Sequence, residues 1–144
     1  MKISTKGRYA LQLLLDLAEN RDQGFVPLKD IAERQHISKQ YLERIVSLLS
    51  ASHILRTSRG KQGGYMLAKD PAAYTVGQIL RLTEGSLAPV PCLDDASPCD
   101  RADQCKTLFL WSGLFQTVNA YLDGITLQDI LDRHAEKDAS HYVI

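Results

Sequence analysis

The run Arg59-Gly60-Lys61-Gln62-Gly63-Gly64 constrains this 144-residue chain more than any other stretch. It separates Ile54-Leu55-Arg56-Thr57-Ser58 from Tyr65-Met66-Leu67-Ala68, two short strand candidates. Its glycines permit the positive φ angles that a tight hairpin demands. Ahead of it the apolar spacing is helical throughout. Ala10, Leu13, Leu14 and Leu17 mark a first helix over about 6–20, with Thr5 as its cap and Leu11, Leu15 and Ala18 widening the stripe. Pro27 suits the first turn of a helix over 28–35, with Ile31 and Ala32 inward, and His36-Ile37 makes a turn. Ser38 caps a third helix reaching about residue 52, with Leu42, Ile45, Val46 and Leu49 on its buried face. Three helices followed by a glycine-tipped hairpin predict a winged helix-turn-helix, a mainly α fold with a small β-hairpin.

A net charge of zero conceals a division. Residues 1–69 carry 12 Lys and Arg against 6 Asp and Glu, whereas residues 70–144 carry 5 against 11. A front half of net +6 suits a polyanion. The apolar face of the third helix leaves Lys39, Gln40, Glu43, Arg44 and Ser47 outward. The opening of a recognition helix, here Ser38, Lys39, Gln40, Tyr41, Glu43 and Arg44, reaches deepest into the major groove. There Gln pairs with adenine, Lys with guanine, and Glu accepts from the amino group of cytosine. Arg59 and Lys61 at the hairpin tip are placed for phosphates or the minor groove. Winged helices also serve as protein-binding adaptors, but the helical pattern, the wing glycines and the basic half agree on double-stranded DNA.

Beyond the hairpin, Thr75-Val76-Gly77-Gln78 reads as a capping box opening a helix that stops at Gly85. Residues 86–104, with Pro89, Pro91 and Pro98, read as a loop, and a long helix over about 105–123 ends at Gly124. Its Leu108, Trp111, Phe115, Val118 and Leu122 step by 3, 4, 3 and 4, the spacing of a coiled-coil seam. Trp111, Phe115, Val118 and Leu122 are therefore expected to join two subunits, although packing on the chain's own first helix would show the same spacing. Thr126 caps a last helix over 127–134, followed by a frayed tail. The expected organisation is a DNA-binding domain at 1–85, a cysteine-bearing loop at 86–105, and a dimerisation helix with a C-terminal helix at 106–144.

Cys92, Cys99 and Cys105 are the only cysteines, spaced C-x6-C-x5-C within fourteen residues. An odd count, with no signal-peptide pattern at the start, disfavours a disulfide framework and points to a cytoplasmic chain. No apolar run approaches the ~18 residues of a membrane span. Thiolates gathered in one proline-restrained loop are soft ligands for iron–sulfur clusters or zinc. Structural zinc sites more often show C-x2-4-C pairs, so zinc is the weaker alternative. Asp94, Asp95, Asp100 and Asp103 solvate this loop or ligate. Cys105, expected at the start of the long helix, gains thiolate character from the unpaired N–H groups there. His36, His53, His134 and His141 are scattered and form no pair with carboxylates beside the cysteines, which argues against an enzyme.

Taken together, Met1-Lys2-Ile3-Ser4-Thr5-Lys6-Gly7-Arg8-Tyr9-Ala10, Tyr41-Leu42-Glu43, and Arg59-Gly60 through Gly63-Gly64-Tyr65 resemble the IscR-type winged-helix transcriptional regulators, a family that also contains CymR and NsrR. The resemblance covers nearly the whole chain. It implies a homodimer, joined through the long helix and binding a partly palindromic operator, and it places Cys92, Cys99 and Cys105 as three ligands of an iron–sulfur cluster, 2Fe–2S in preference to 4Fe–4S. Where the family commonly has a histidine ligand, three residues after the third cysteine, this chain has Leu108. Where NsrR-like members use an acidic residue near the partner's N-terminus, it has Arg8. The fourth ligand is thus unassigned. CymR-type members lack the cysteines, so their presence favours a cluster sensor over a protein-partnered repressor. A thiol- or zinc-sensing winged-helix repressor without iron is the alternative, and a metal-binding redox protein a more distant one.

Overall fold

The computed structural model describes residues 1–94 and 100–141. Helix α1 (Thr5–Glu19) is capped by Ser4 rather than Thr5: Ser4 stands in extended backbone and its hydroxyl accepts from the Gly7 N–H at 3.2 Å. Helices α2 (Leu28–Gln35) and α3 (Lys39–Ala51) follow as their apolar spacing predicts. Between them His36 adopts the left-handed conformation (φ 55°, ψ 42°), and the Ile37 N–H returns to the Ala32 carbonyl at 3.2 Å. That sharp reversal, with Ile37 buried behind it, is the turn of the helix-turn-helix.

Strands β1 (Leu55–Ser58) and β2 (Gly64–Leu67) pair antiparallel, from Leu55 opposite Leu67 to Ser58 opposite Gly64. A third piece of extended chain, invisible to periodicity because it is one residue long, joins this ribbon. Val26 exchanges backbone hydrogen bonds with Tyr65 at 2.8 and 2.9 Å. Gly64 makes the approach possible, since a Cβ there would run into the Val26 carbonyl.

Helix α1 runs through the centre, packing on α2, α3, β2 and two later helices, α4 (Val76–Glu84) and α6 (Leu127–His141). Its broad stripe has this cause. Leu13, Leu14 and Leu17 meet Ile31, Leu42, Ile45, Leu49 and Ile79, all essentially without solvent exposure. Burial of each side chain of this size contributes about 1.5–3 kcal/mol. Leu127 is buried in the same core, and the start of α6 is stitched to the segment before α4 by Leu127 N–H to Tyr74 O (3.0 Å) and Val76 N–H to Ile125 O (2.8 Å). Thr126 caps α6 reciprocally with Asp129. The helix continues to His141 rather than fraying after His134, with Gln128–Asp132 and His134–Asp138 pairs spaced four residues apart along it.

Helix α5 (Leu108–Asp123) begins three residues later than expected. A short 3-10 turn at Ala102–Gln104 ends at Cys105, which closes it with an N–H bond to the Ala102 carbonyl. The seam also needs correction. Phe115 and Leu122 pack within their own chain, against a second cluster of Val76, Leu80 and Leu87, while Trp111 and Val118 are half-buried. The apolar face left uncovered is instead Phe109 (80% exposed), Leu110 (50%), Leu114 (39%) and Tyr121 (67%). A 3-4 stripe cannot say which of two partners it faces. Among the described residues no helix is long and apolar enough to cross a membrane.

Candidate nucleic-acid interface and cysteine loop

Helix α3 presents its first turns to solvent because Leu42, Ile45, Val46 and Leu49 anchor its other face. Lys39, Gln40, Glu43 and Arg44 are exposed there as expected. Ser38 has a local task, its hydroxyl accepting from the Tyr41 N–H at 3.2 Å. Tyr41 departs from a purely outward reading: it is half-buried, its ring edge-on to Tyr9 with centroids 5.4 Å apart and planes at 81°. The contact fixes the recognition helix to the first turns of α1.

The hairpin tip carries Arg59 and Lys61, both exposed, around Gly60 at φ 105° and a Gly63 N–H to Gly60 O bond of 3.0 Å. Arg56, on the exposed face of β1, adds a cation that the motif reading passed over. Among the described residues none of Lys39, Arg44, Arg56, Arg59 or Lys61 enters an ion pair. Uncompensated cations on a helix opening and a wing can neutralise phosphates, while Gln40 and Glu43 have the donors and acceptors to read base edges.

The mounting of this surface includes a group that sequence reasoning missed. Asp16 is buried, and accepts from Arg34 Nε (3.0 Å) and Nη2 (2.7 Å) and from Gln35 Nε2 (2.9 Å). The bidentate pair locks α2 to α1, and donating to Asp16 raises the Arg34 pKa above the usual arginine value. A signal existed: a carboxylate set among Leu13, Leu14 and Leu17 demands a partner. On the far side, the buried Tyr74 hydroxyl donates to the Ile54 carbonyl at 3.2 Å, tying the chain after β2 to the entrance of the hairpin.

Cys92 lies half-buried in a 3-10 turn (Pro91–Leu93), and Cys105 is half-buried ahead of α5. Neither is in a disulfide. The Cys105 thiol is held below its usual pKa first by the Thr107 hydroxyl, 3.5 Å from Sγ, and then by the backbone N–H groups of Thr107 and Leu108. Thiolate character thus survives the correction to the helix start, with a hydroxyl as its main cause. Leu108, at the first position of α5, offers no ligand atom. Cys99 and Asp95 lie outside the described residues, and among the described residues no three His, Cys, Asp or Glu side chains gather at one point. Two accessible thiols without disulfides suit the soft-donor chemistry of an iron–sulfur or zinc site.

A family model described as Rrf2, iron-dependent transcriptional regulator, matches residues 3–133. The chain is 40% identical over 130 residues to the HTH-type transcriptional regulator CymR of Bacillus subtilis, covering 90% of this chain and 89% of that one. Its similarity to the HTH-type transcriptional regulator IscR of Klebsiella pneumoniae is 36% over 140 residues, covering 97% and 85%. The solved structure of B. subtilis CymR, described as the global cysteine regulator, superposes with a TM-score of 0.73 at 36% identity, covering 92% of this chain and 98% of that one. That of T. potens IscR also gives 0.73, at 35% identity, covering 100% and 92%.

Proposed function

The chain belongs to the Rrf2 family of DNA-binding transcriptional regulators, and from that premise we propose that its operator affinity is set by an iron–sulfur cluster on Cys92, Cys99 and Cys105. It is a regulator, not an enzyme. The observation that carries the cluster reading is the confinement of all three cysteines to the one segment that joins the winged helix to α5. The cluster is 2Fe–2S, completed by a ligand other than Leu108. When bound it supplies an oxidant-labile crosslink among three thiolates. In a homodimer built on the uncovered face of α5, residues 92–105 stand in chain order between the winged helix and the subunit contact. Any change in their course bears on how the two recognition helices are presented to a partly palindromic operator. Lys39, Gln40, Tyr41, Glu43 and Arg44 meet the major groove, Ser38 shapes the helix opening there, and Arg59 and Lys61 take the flanking phosphates or minor groove.

Anaerobic purification, followed by iron, sulfide and zinc analysis of the parent and of Cys92→Ala, Cys99→Ala and Cys105→Ala, tests the cluster. The expected result is visible charge-transfer bands with iron and sulfide in the parent, lost in each variant while helicity and oligomeric state persist. Iron absent from the parent even after reconstitution overturns the proposal. One observation favours a second reading, a thiol or zinc sensor without iron: the Thr107 hydroxyl 3.5 Å from Cys105 Sγ can stabilise a thiolate and so also suits a reactive thiol. Zinc in a colourless parent, or no metal and a single oxidisable thiol, distinguishes it.

A further inference from the structure

Two carboxylates resting over glycines fasten α4 to its neighbours. Asp123, the last residue of α5, takes both arms of the Arg81 guanidinium, at 2.8 and 2.7 Å, and Arg81 Nη2 also donates to Asn119 Oδ1 at 3.0 Å. Gly77, one turn before Arg81, leaves the space: a Cβ there would collide with the Asp123 carboxylate. At the other end of α4, Glu84 accepts from the Ser4 N–H (3.3 Å) and hydroxyl (2.7 Å) and lies over Gly7, where a Cβ would meet it. One side of α4 thus holds the C-terminal end of α5. The other holds the first turn of α1, whose Tyr9 touches Tyr41 of the recognition helix.

Helix α5 packs chiefly on α4 and has no fully buried side chain. Apolar contacts such as Phe115 and Leu122 on Val76 and Leu80 oppose separation but allow sliding, because they are non-directional. A bidentate arginine–carboxylate pair is directional. We propose that Arg81 and Asp123 are positioning residues that fix the angle between α5 and the winged helix, and thereby select the half-site spacing that the dimer accepts. This rests on the dimer reading above. The leverage is sufficient: a swing of about 10° on an arm of roughly 20 Å, within the ~30 Å diameter of a small domain, displaces a recognition helix by about 3.5 Å. That is close to the ~3.4 Å rise of one base pair.

The test uses full-length protein and a palindromic duplex selected in vitro by the parent, with its half-sites moved by one or two base pairs in either direction. Arg81→Ala removes the bridge. Gly77→Ala keeps every charge and pushes Asp123 off its place, so it remains informative should the first variant fold poorly. Both are expected to reduce the parent's preference for its own spacing by about tenfold, in the usual range of site-to-site coupling. Dimer mass and affinity for a single half-site should stay at parental values. Retention of the parental spacing preference by both variants overturns the proposal, and so does an equal loss at every spacing, which marks a merely structural role. A monomeric parent fails the dimer reading itself, whereas a dimeric parent indifferent to spacing overturns the proposal; both are visible before any variant is made.

Discussion

Breaking the Asp16–Arg34 pair from either side removes the same two hydrogen bonds, yet the costs should differ. The Asp16 side chain is 1% exposed and that of Arg34 is 39% exposed. Arg34→Ala leaves a carboxylate in the core with Gln35 and Asn20 as its remaining donors. Stranding one member of a buried pair costs about 3–5 kcal/mol, and the surviving amide bonds bring this toward 3. Asp16→Ala removes the buried charge altogether, puts the best helix former into α1, and frees an arginine that already reaches water. Its cost is about 1–2 kcal/mol. Urea unfolding at neutral pH and fixed protein concentration should show the ordering, with similar slopes for both variants. At about 3–4 °C per kcal/mol for a chain of this size, Arg34→Ala should also melt roughly 3–8 °C below Asp16→Ala. Equal losses, or a larger one for Asp16→Ala, would refute the reasoning from unequal burial.

Four further outcomes follow from other parts of the structure. Arg81 holds the Asp123 carboxyl below its usual pKa, so the pair stabilises the fold above about pH 4 and that contribution is lost as pH falls through the lowered value; the stability gap between parent and Asp123→Asn should close below pH 4 in acid titrations. Leu110→Asp, on the uncovered face of α5, should give folded monomers on sizing chromatography, whereas Phe115→Asp, facing Val76 and Leu80, should reduce stability instead. Arg59→Ala and Lys61→Ala should each weaken binding to all duplexes and lower the log–log salt slope by about 0.9 per lost phosphate contact. Glu43→Ala should chiefly relax preference at one base pair, by about 1–3 kcal/mol in competition assays.

What could be read in advance divides by the range of the interaction responsible. The caps at Ser38 and Thr75 and the reversal around Gly60 are local, and each stands as its residue chemistry dictates. The added turns of α6 beyond His134 were hidden by a polar sequence with no apolar stripe to reveal them. Val26 pairing with Tyr65 is non-local and one residue long, below any period. Asp16 and Arg34 are eighteen residues apart, so the partner that makes the buried carboxylate tolerable appears only in three dimensions. In α5, Phe115 and Phe109 are both apolar residues of one amphipathic helix, and only the position of α4 determines which is covered. The exposure of Lys39, Gln40, Glu43, Arg44, Arg59 and Lys61 was legible, whereas the packing of Tyr41 on Tyr9 was not.

Operator affinity with and without the cluster, measured on one preparation, bears most directly on the proposed regulation. Protein reconstituted anaerobically with iron and sulfide, and the same protein after chelation, would be titrated against the selected palindromic duplex by fluorescence anisotropy at fixed salt. Both forms should be folded dimers whose Kd values differ by about tenfold or more, with Cys105→Ala behaving as the chelated form. Superimposable binding curves from a sample with proven iron and sulfide and from its chelated counterpart would contradict cluster control of DNA binding.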